Sequence, residues 1–216
     1  MDVQIMTRTR REQGREMPVL QWRFPAPVRM ISSAPHGGGL GLRRWILNAQ
    51  VPPAYGRRDP DRHLAQLGVS FGLAGKGVGM LTAADVRGAA FSSDGGVEVA
   101  ATVGLGHPIL AAAPHDTRPV ELVGTLNIVV LVPERMSDAA LVNAVATVTE
   151  AKAQAIAEMG LGATGTATDA VCIACPDSGP PHAFGGPRSV WGSRMARAVH
   201  AAVTTGARMG SIGQDQ

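Results

Sequence analysis

The sequence predicts a single α+β domain in which a mixed or antiparallel sheet is layered against helices. Three observations carry this. Strand-like segments crowd the first two thirds of the chain, the two long helical segments fall in the second half, and no repeat or composition shift marks a linker. The chain has 216 residues, 45% hydrophobic and 17% charged, enough for one sizeable core. Glycine is abundant at 27 residues and aromatics are few, which points to turns and close backbone approaches rather than a core of large rings.

Residues 1–16 are polar, lack the apolar stretch of a signal peptide, and are expected to be a disordered tail. The domain proper is expected over 17–208, with a short C-terminal tail over 209–216. Val19–Phe24 alternates, Pro25 and Pro27 predict a turn, and Val28–Ile31 returns, together reading as a hairpin. A glycine-rich loop, Ser32–Gly41, follows. Trp45–Val51 reads as a strand carrying Asn48 and Gln50. Asp59 and Pro60 look like the N-cap and first residue of a short helix. Val78–Ala83 and Val97–Leu105 read as strands, with Gly95-Gly96 turning the chain before the second. Pro108–Pro119 shows no usable pattern. Leu126–Val132 is apolar throughout and β-branched, as a central strand would be. Ser137 caps a long helix that ends near Met159 with Gly160 after it. Asp169–Ala174 reads as a second buried strand, Pro176–Pro187 as a loop, and Ser189–Thr205 as the last helix.

The net charge of +3 arises almost wholly from arginine, since Lys76 and Lys152 are the only lysines. The arginines around 43, 44, 57, 58 and 62 read as a solvated surface, and no interleaving of aromatic and basic residues points to nucleic acid. No segment approaches the ~20 apolar residues of a membrane span. With no export signal, a cytoplasmic location is expected, in which Cys172 and Cys175 stay reduced. They form a lone C-x-x-C at the end of an apolar strand, with no second ligand pair, so buried structural thiols are expected rather than a metal site.

Four places can carry chemistry. On the long helix Leu141, Val145, Val148, Ile156 and Met159 form one stripe, and Asn143, Thr147, Glu150, Gln154 and Glu158 the opposite, solvated face. Lys152 lies inside the apolar stripe two turns from the end, and a buried ammonium needs a partner such as Asp169. The segment Ala163–Asp169 sets Thr164, Thr166 and Thr168 before a buried strand with Asp169 at its start. Taken by itself, such a segment is better explained as a turn in which Thr and Asp side chains satisfy local backbone donors than as an active site. The Ser32–Gly41 loop offers backbone N–H groups to an anion, and His36 is the best placed histidine for proton transfer. It lacks the lysine of a P-loop and the spacing of a dinucleotide fingerprint, so no cofactor is predicted. Finally, Asn48, Asn127 and Asn143 are amides that either bond structurally or line a polar pocket.

Several blocks together resemble the adenosylcobinamide amidohydrolase family of corrinoid salvage. They are Arg29–Pro35 with Gly37-Gly38-Gly39, Trp45–Asn48, Gly77–Ala84, Gly124–Val129, Thr149–Lys152 and Thr164–Asp169, in order over residues 18–206. The resemblance implies hydrolysis of the amide between the corrin f side chain and aminopropanol, giving adenosylcobyric acid. It implies a small-molecule corrinoid as the partner, with no nucleic acid or membrane, and leaves homo-oligomerisation open. Within that reading Asp169 activates a water or the Thr166 hydroxyl, Gly37, Gly38 and Gly39 hold the oxyanion, and His36 or Lys152 protonates the amine. Ser33, Asn48, Asn127, Asn143 and Thr168 are the expected substrate contacts. The alternatives are an amidase or acyltransferase of the N-terminal-nucleophile kind, with Thr166 freed by self-cleavage, and a corrinoid-binding module without turnover.

Overall fold

In the computed structural model, residues 1–114 and 124–212 are described. The elements run β1 (Gln4–Glu12), β2 (Arg15–Ser32), β3 (Gly39–Gln50), α1 (Pro60–Ser70), β4 (Gly77–Thr82), β5 (Ala90–Asp94), β6 (Val97–Gly104), β7 (Thr125–Leu131), α2 (Asp138–Glu158), β8 (Ala170–Cys175) and α3 (Val190–Ile212). They build one mixed sheet of eight strands in the order β4-β3-β2-β8-β7-β6-β5, with β1 paired to β2. The α+β prediction is correct.

Two pairs in the sheet are parallel, β3 with β4 and β7 with β8, and a helix connects each, α1 and α2 respectively. Parallel neighbours need such a crossover, whereas the antiparallel β5–β6 pair closes through the two-glycine turn. The β7 and β8 strands are buried at every position, as their apolar runs predict.

The sheet folds over on itself, and β2 is the element that allows it. The prolines at 25 and 27 do not reverse the chain. β2 continues through them as one 18-residue strand, and its pairing with β3 shifts register between Arg23 and Val28. Proline cannot donate to a ladder, so the interruption falls where no donor is lost. The first half of β2 pairs with β1 and the second half with β8. The polar N-terminus is therefore an edge strand and not a tail. Its nine residues run antiparallel to Arg15–Arg23.

Four layers result. One face of β6, β7 and β8 packs Ile128, Val130 and Ile173 against Leu141, Val148 and Ile156 of α2 and Met195, Val199 and Val203 of α3. The other face presents Ala100, Val129, Leu131 and Cys172 to Trp22, Phe24, Ile46, Val78 and Met80 of β2–β4. The outer face of β3 packs Trp45, Leu47 and Ala49 against Leu64 and Leu67 of α1.

Three smaller expectations need correction. Asp59 precedes α1 but makes no capping bond; Arg57 holds its carboxylate instead. Thr147, assigned to the solvated face of α2, is buried and donates to the Gly185 carbonyl at 2.9 Å, because the 185–187 segment covers that turn. The last helix begins at Val190, where the Gly192 N–H donates to Ser189 Oγ at 3.0 Å, but continues to Ile212. Part of the unpatterned loop over 108–119 lies outside the described residues.

Candidate active site

The segment between α2 and β8 is organised around one carboxylate. Asp169 stands at the start of β8, beside the start of its parallel neighbour β7, and each of its oxygens accepts two hydrogen bonds. Oδ2 takes Lys152 Nζ at 2.5 Å and the Thr166 N–H at 3.1 Å. Oδ1 takes the Thr166 hydroxyl at 2.5 Å and the Leu126 N–H at 3.0 Å. A carboxylate has about four acceptor sites, so these donors fill them. Both members of the ion pair are largely buried, with side chains 10% and 13% exposed.

Lys152 can reach Asp169 because the residue between them in space is a glycine. A β-carbon on Gly165 would lie 2.3 Å from Asp169 Oδ2 and 2.5 Å from Lys152 Nζ. The Gly165 carbonyl in turn accepts the Ile109 N–H at 2.8 Å, and Thr164 Oγ1 accepts the Ala111 N–H at 2.9 Å. The 109–111 stretch thus ties the threonine-rich segment down.

Asp169 opens onto a cleft of about 440 Å³ between the two sheet layers. One wall carries Thr125, Asn127, Thr168, Asp169 and Ala170, and the other Val51, Pro52, Pro53, Tyr55, Leu81 and Thr82, with Ser33 and Pro35 also in the lining. The Thr125 and Thr168 hydroxyls are bonded at 2.7 Å, and Thr168 Oγ1 donates to the Gly124 carbonyl at 3.2 Å. Ser33 holds β8 in place: its Oγ accepts the Val171 N–H at 3.0 Å.

Asn48 and Asn127 form a polar bridge across the layers. Asn48 Nδ2 donates to Thr102 Oγ1 at 3.0 Å, and Asn127 Nδ2 donates to both Asn48 Oδ1 and the Leu81 carbonyl at 2.8 Å. The two acceptors fix the orientation of the Asn127 amide. Its Oδ1 is buried and has no hydrogen-bond partner among the described residues. Such an acceptor is costly to leave unpaired.

Of the sequence-predicted residues, Lys152, Thr166, Thr168, Asp169, Asn48, Asn127 and Ser33 come together in and behind this cleft. His36 and the glycines after it do not line it. The Gly37 turn, at φ +66°, packs so closely on β4 that a β-carbon would fall 1.8 Å from the Gly77 carbonyl oxygen. His36 stacks on Trp45 with ring centres 5.6 Å apart and bridges to Gly79. Burial lowers its pKa. Asn143 is exposed on α2 beside Gly186. Thr125, Thr82 and Tyr55 are cleft residues that the sequence reading missed.

Both cysteines are free and buried in β8, and burial pushes the Cys172 thiol up to about 12. Among the described residues, no three His, Cys, Asp or Glu side chains are grouped as metal ligands. No helix among them is long and apolar enough to cross a membrane.

Comparison with known proteins places this arrangement in a family. An adenosylcobinamide amidohydrolase of Methanosarcina mazei is 29% identical over 178 residues, covering 78% of this chain and 85% of its own length. A protein of the same description from Halobacterium salinarum is 37% identical over 116 residues, 50% of this chain and 49% of its own. Among solved structures, the L-aminopeptidase D-Ala-esterase/amidase of Ochrobactrum anthropi, described as a variant of the Ntn hydrolase fold, aligns over 94% of this chain and 82% of its own. Its identity is 13% and its TM-score 0.39. The family profile described as adenosylcobinamide amidohydrolase matches residues 2–211, and the chain belongs to that family of amidohydrolases.

Proposed function

We propose that the protein hydrolyses the amide joining aminopropanol to the corrin f side chain of adenosylcobinamide, giving adenosylcobyric acid for cobalamin salvage in the cytoplasm. The family membership supports the substrate, and the Thr166–Asp169 contact carries the mechanism. With the acceptor sites of Asp169 filled, the one O–H among its donors is that of Thr166. Asp169 takes the Thr166 proton as the hydroxyl attacks the amide carbonyl, and Lys152 holds the carboxylate in place and supplies a proton to the departing amine. Water then hydrolyses the ester on Thr166. The cleft volume lies in the range of small-molecule sites, roughly 300–1,000 Å³. It takes the amide-bearing side chain, and the macrocycle rests on the prolines of the lining, Pro35, Pro52 and Pro53. The unpartnered Asn127 Oδ1, held by Asn48, accepts an amide N–H of the substrate.

The test is incubation of purified protein with adenosylcobinamide, followed by mass spectrometry for adenosylcobyric acid. The wild type releases it, Thr166→Ser retains activity, and Thr166→Val loses on the order of a thousandfold. Bound but intact substrate would instead mark a binding module, and a Thr166→Val enzyme of near-normal rate would remove Thr166 from the chemistry.

A second reading rests on the Gly165 carbonyl, held by the Ile109 N–H, and on the hydroxyl of the next residue, Thr166, held by Asp169. The same attack turned inward would cleave the 165–166 bond and free Thr166 as an N-terminal nucleophile. The intact mass decides: one 22.3 kDa chain excludes self-cleavage, and two fragments establish it.

A further inference from the structure

The cleft wall facing Asp169 holds a second polar constellation that the hydrolysis described above does not use. Tyr55 is part of the cleft lining, and its hydroxyl is 2.9 Å from His63 Nδ1. The two rings stack with centroids 5.6 Å apart and planes 18° from parallel, so the phenol is fixed as well as bonded. His63 lies on the first turn of α1, 5% exposed, and its Nε2 faces Glu12 Oε1 at 3.7 Å. Glu12 ends β1 and is itself held by Arg10, whose Nη2 is 2.5 Å from Oε2 and also donates to the Gln50 carbonyl at 2.8 Å. The chain Arg10–Glu12–His63–Tyr55 therefore runs from the edge strand, through the body of the protein, to the cleft.

The direction of the hydrogen bonds follows from the charges. Burial lowers the pKa of His63, which leaves the ring neutral with one N–H and one bare nitrogen. The carboxylate of Glu12 favours the N–H on Nε2, so Nδ1 accepts the Tyr55 O–H. Burial raises the pKa of Tyr55, which keeps that proton in place. Tyr55 lines the cleft, and with its own proton committed to His63 its phenol oxygen keeps acceptor capacity for a ligand there, polarised by the bonded imidazole. An acceptor on this wall suits a substrate donor that lies beyond the amide being cut, on the leaving-group side.

We infer that Tyr55 is a specificity-determining residue that accepts a hydrogen bond from the aminopropanol hydroxyl, with His63 and Glu12 as its positioning residues. This rests on the proposed adenosylcobinamide reaction, and it addresses a problem that reaction poses. The corrin periphery carries many carboxamides, and the hydroxylated leaving group distinguishes the one to be cut. A site built to bond a hydroxyl discriminates against an analogue that lacks it, because the acceptor is then left unpaired. The N-terminal strand thereby contributes to substrate choice although none of its residues reaches the reacting bond.

The test crosses a change in the enzyme with a change in the substrate. Turnover of adenosylcobinamide is compared with that of the propylamide of adenosylcobyric acid, identical but for the missing hydroxyl. The wild type should prefer the hydroxylated amide in kcat/KM by at least about tenfold. In Tyr55→Phe that preference should fall to within about threefold of unity. His63→Gln, which leaves the phenol but frees it, should give an intermediate ratio. A purely structural role would lower both substrates together and leave the ratio unchanged, and that result overturns the inference. So does a wild type without preference. A wild type that cleaves neither amide would instead overturn the substrate reading, and this inference with it.

Discussion

Lys152 on α2 and Asp169 at the head of β8 close at 2.5 Å, and the backbone between them is shaped to let them. The pair joins the helix of the β7–α2–β8 crossover to the strand that the helix delivers. Removing one member of a buried pair leaves an uncompensated charge, at a cost of roughly 3–5 kcal/mol. Lys152→Met should therefore lower the unfolding free energy measured by urea titration by an amount at the lower end of that range, since both side chains keep some contact with solvent. The double replacement Lys152→Met with Asp169→Leu should recover part of the loss while remaining inactive. A stable single variant would show that the pair contributes nothing to the fold.

Gly165 sits against that pair, which makes it a sensitive position. A methyl group there must displace Asp169 Oδ2 or Lys152 Nζ, each under 3 Å away. Gly165→Ala should cost about 1–3 kcal/mol through overpacking. Its effect on turnover should be larger than on stability, a loss of more than about tenfold in kcat, because displacing Oδ2 turns the carboxylate whose other oxygen accepts the Thr166 hydroxyl. Kinetics and thermal melts on the same preparation check this, and wild-type kcat would refute it.

How much of this was legible follows from what holds each element. The β7 and β8 strands and the helix α2 were readable because their burial is apolar and periodic, and Lys152 stood out against the stripe that surrounds it. The β1 strand was not, because its segment, Gln-Ile-Met-Thr-Arg-Thr-Arg-Arg-Glu, is mostly exposed and is held by a ladder to β2 and by Arg10 with Glu12. Its partner strand was split in two because Pro25 and Pro27 suggest a turn, and only the long-range pairing to β8 shows that the chain runs on. The glycines after His36 looked like an anion cradle, and their use is the approach to β4 at Gly77. Thr125 carried the same signal as Asp169, a polar residue heading an apolar strand, and was passed over. Tyr55 carried none, since only the fold brings it to His63 and the cleft.

The cysteines give a test that does not depend on activity. Burial raises both thiols, Cys172 to about 12, so neither presents a thiolate near neutral pH. A thiol-reactive probe at pH 8 should label neither cysteine in the native protein and both after denaturation. Rapid native labelling would show that β8 opens readily, against its full burial in the sheet.

The two lowered histidines set how stability depends on pH. His36 and His63 resist protonation in the fold because burial disfavours the imidazolium, whereas in the unfolded chain they bind a proton near pH 6.5. Below that value the unfolded state binds more protons than the folded one, so stability falls as pH drops from about 6.5 toward the lower folded values. Above pH 7 both states are neutral at these sites and the contribution is constant. Arg10 and Arg57 oppose protonation of His63, while Glu12 and Asp59 favour it, and burial outweighs them. Urea midpoints at pH 7.5, 6.5 and 5.5 should decline at the acid end. The decline should be shallower in His63→Gln, whatever that variant's absolute stability. An identical slope in the variant would show that His63 takes up its proton equally in the folded and unfolded chain, and a steeper decline would show that it is protonated in the fold as a salt bridge to Glu12; either result would overturn the neutral ring drawn here.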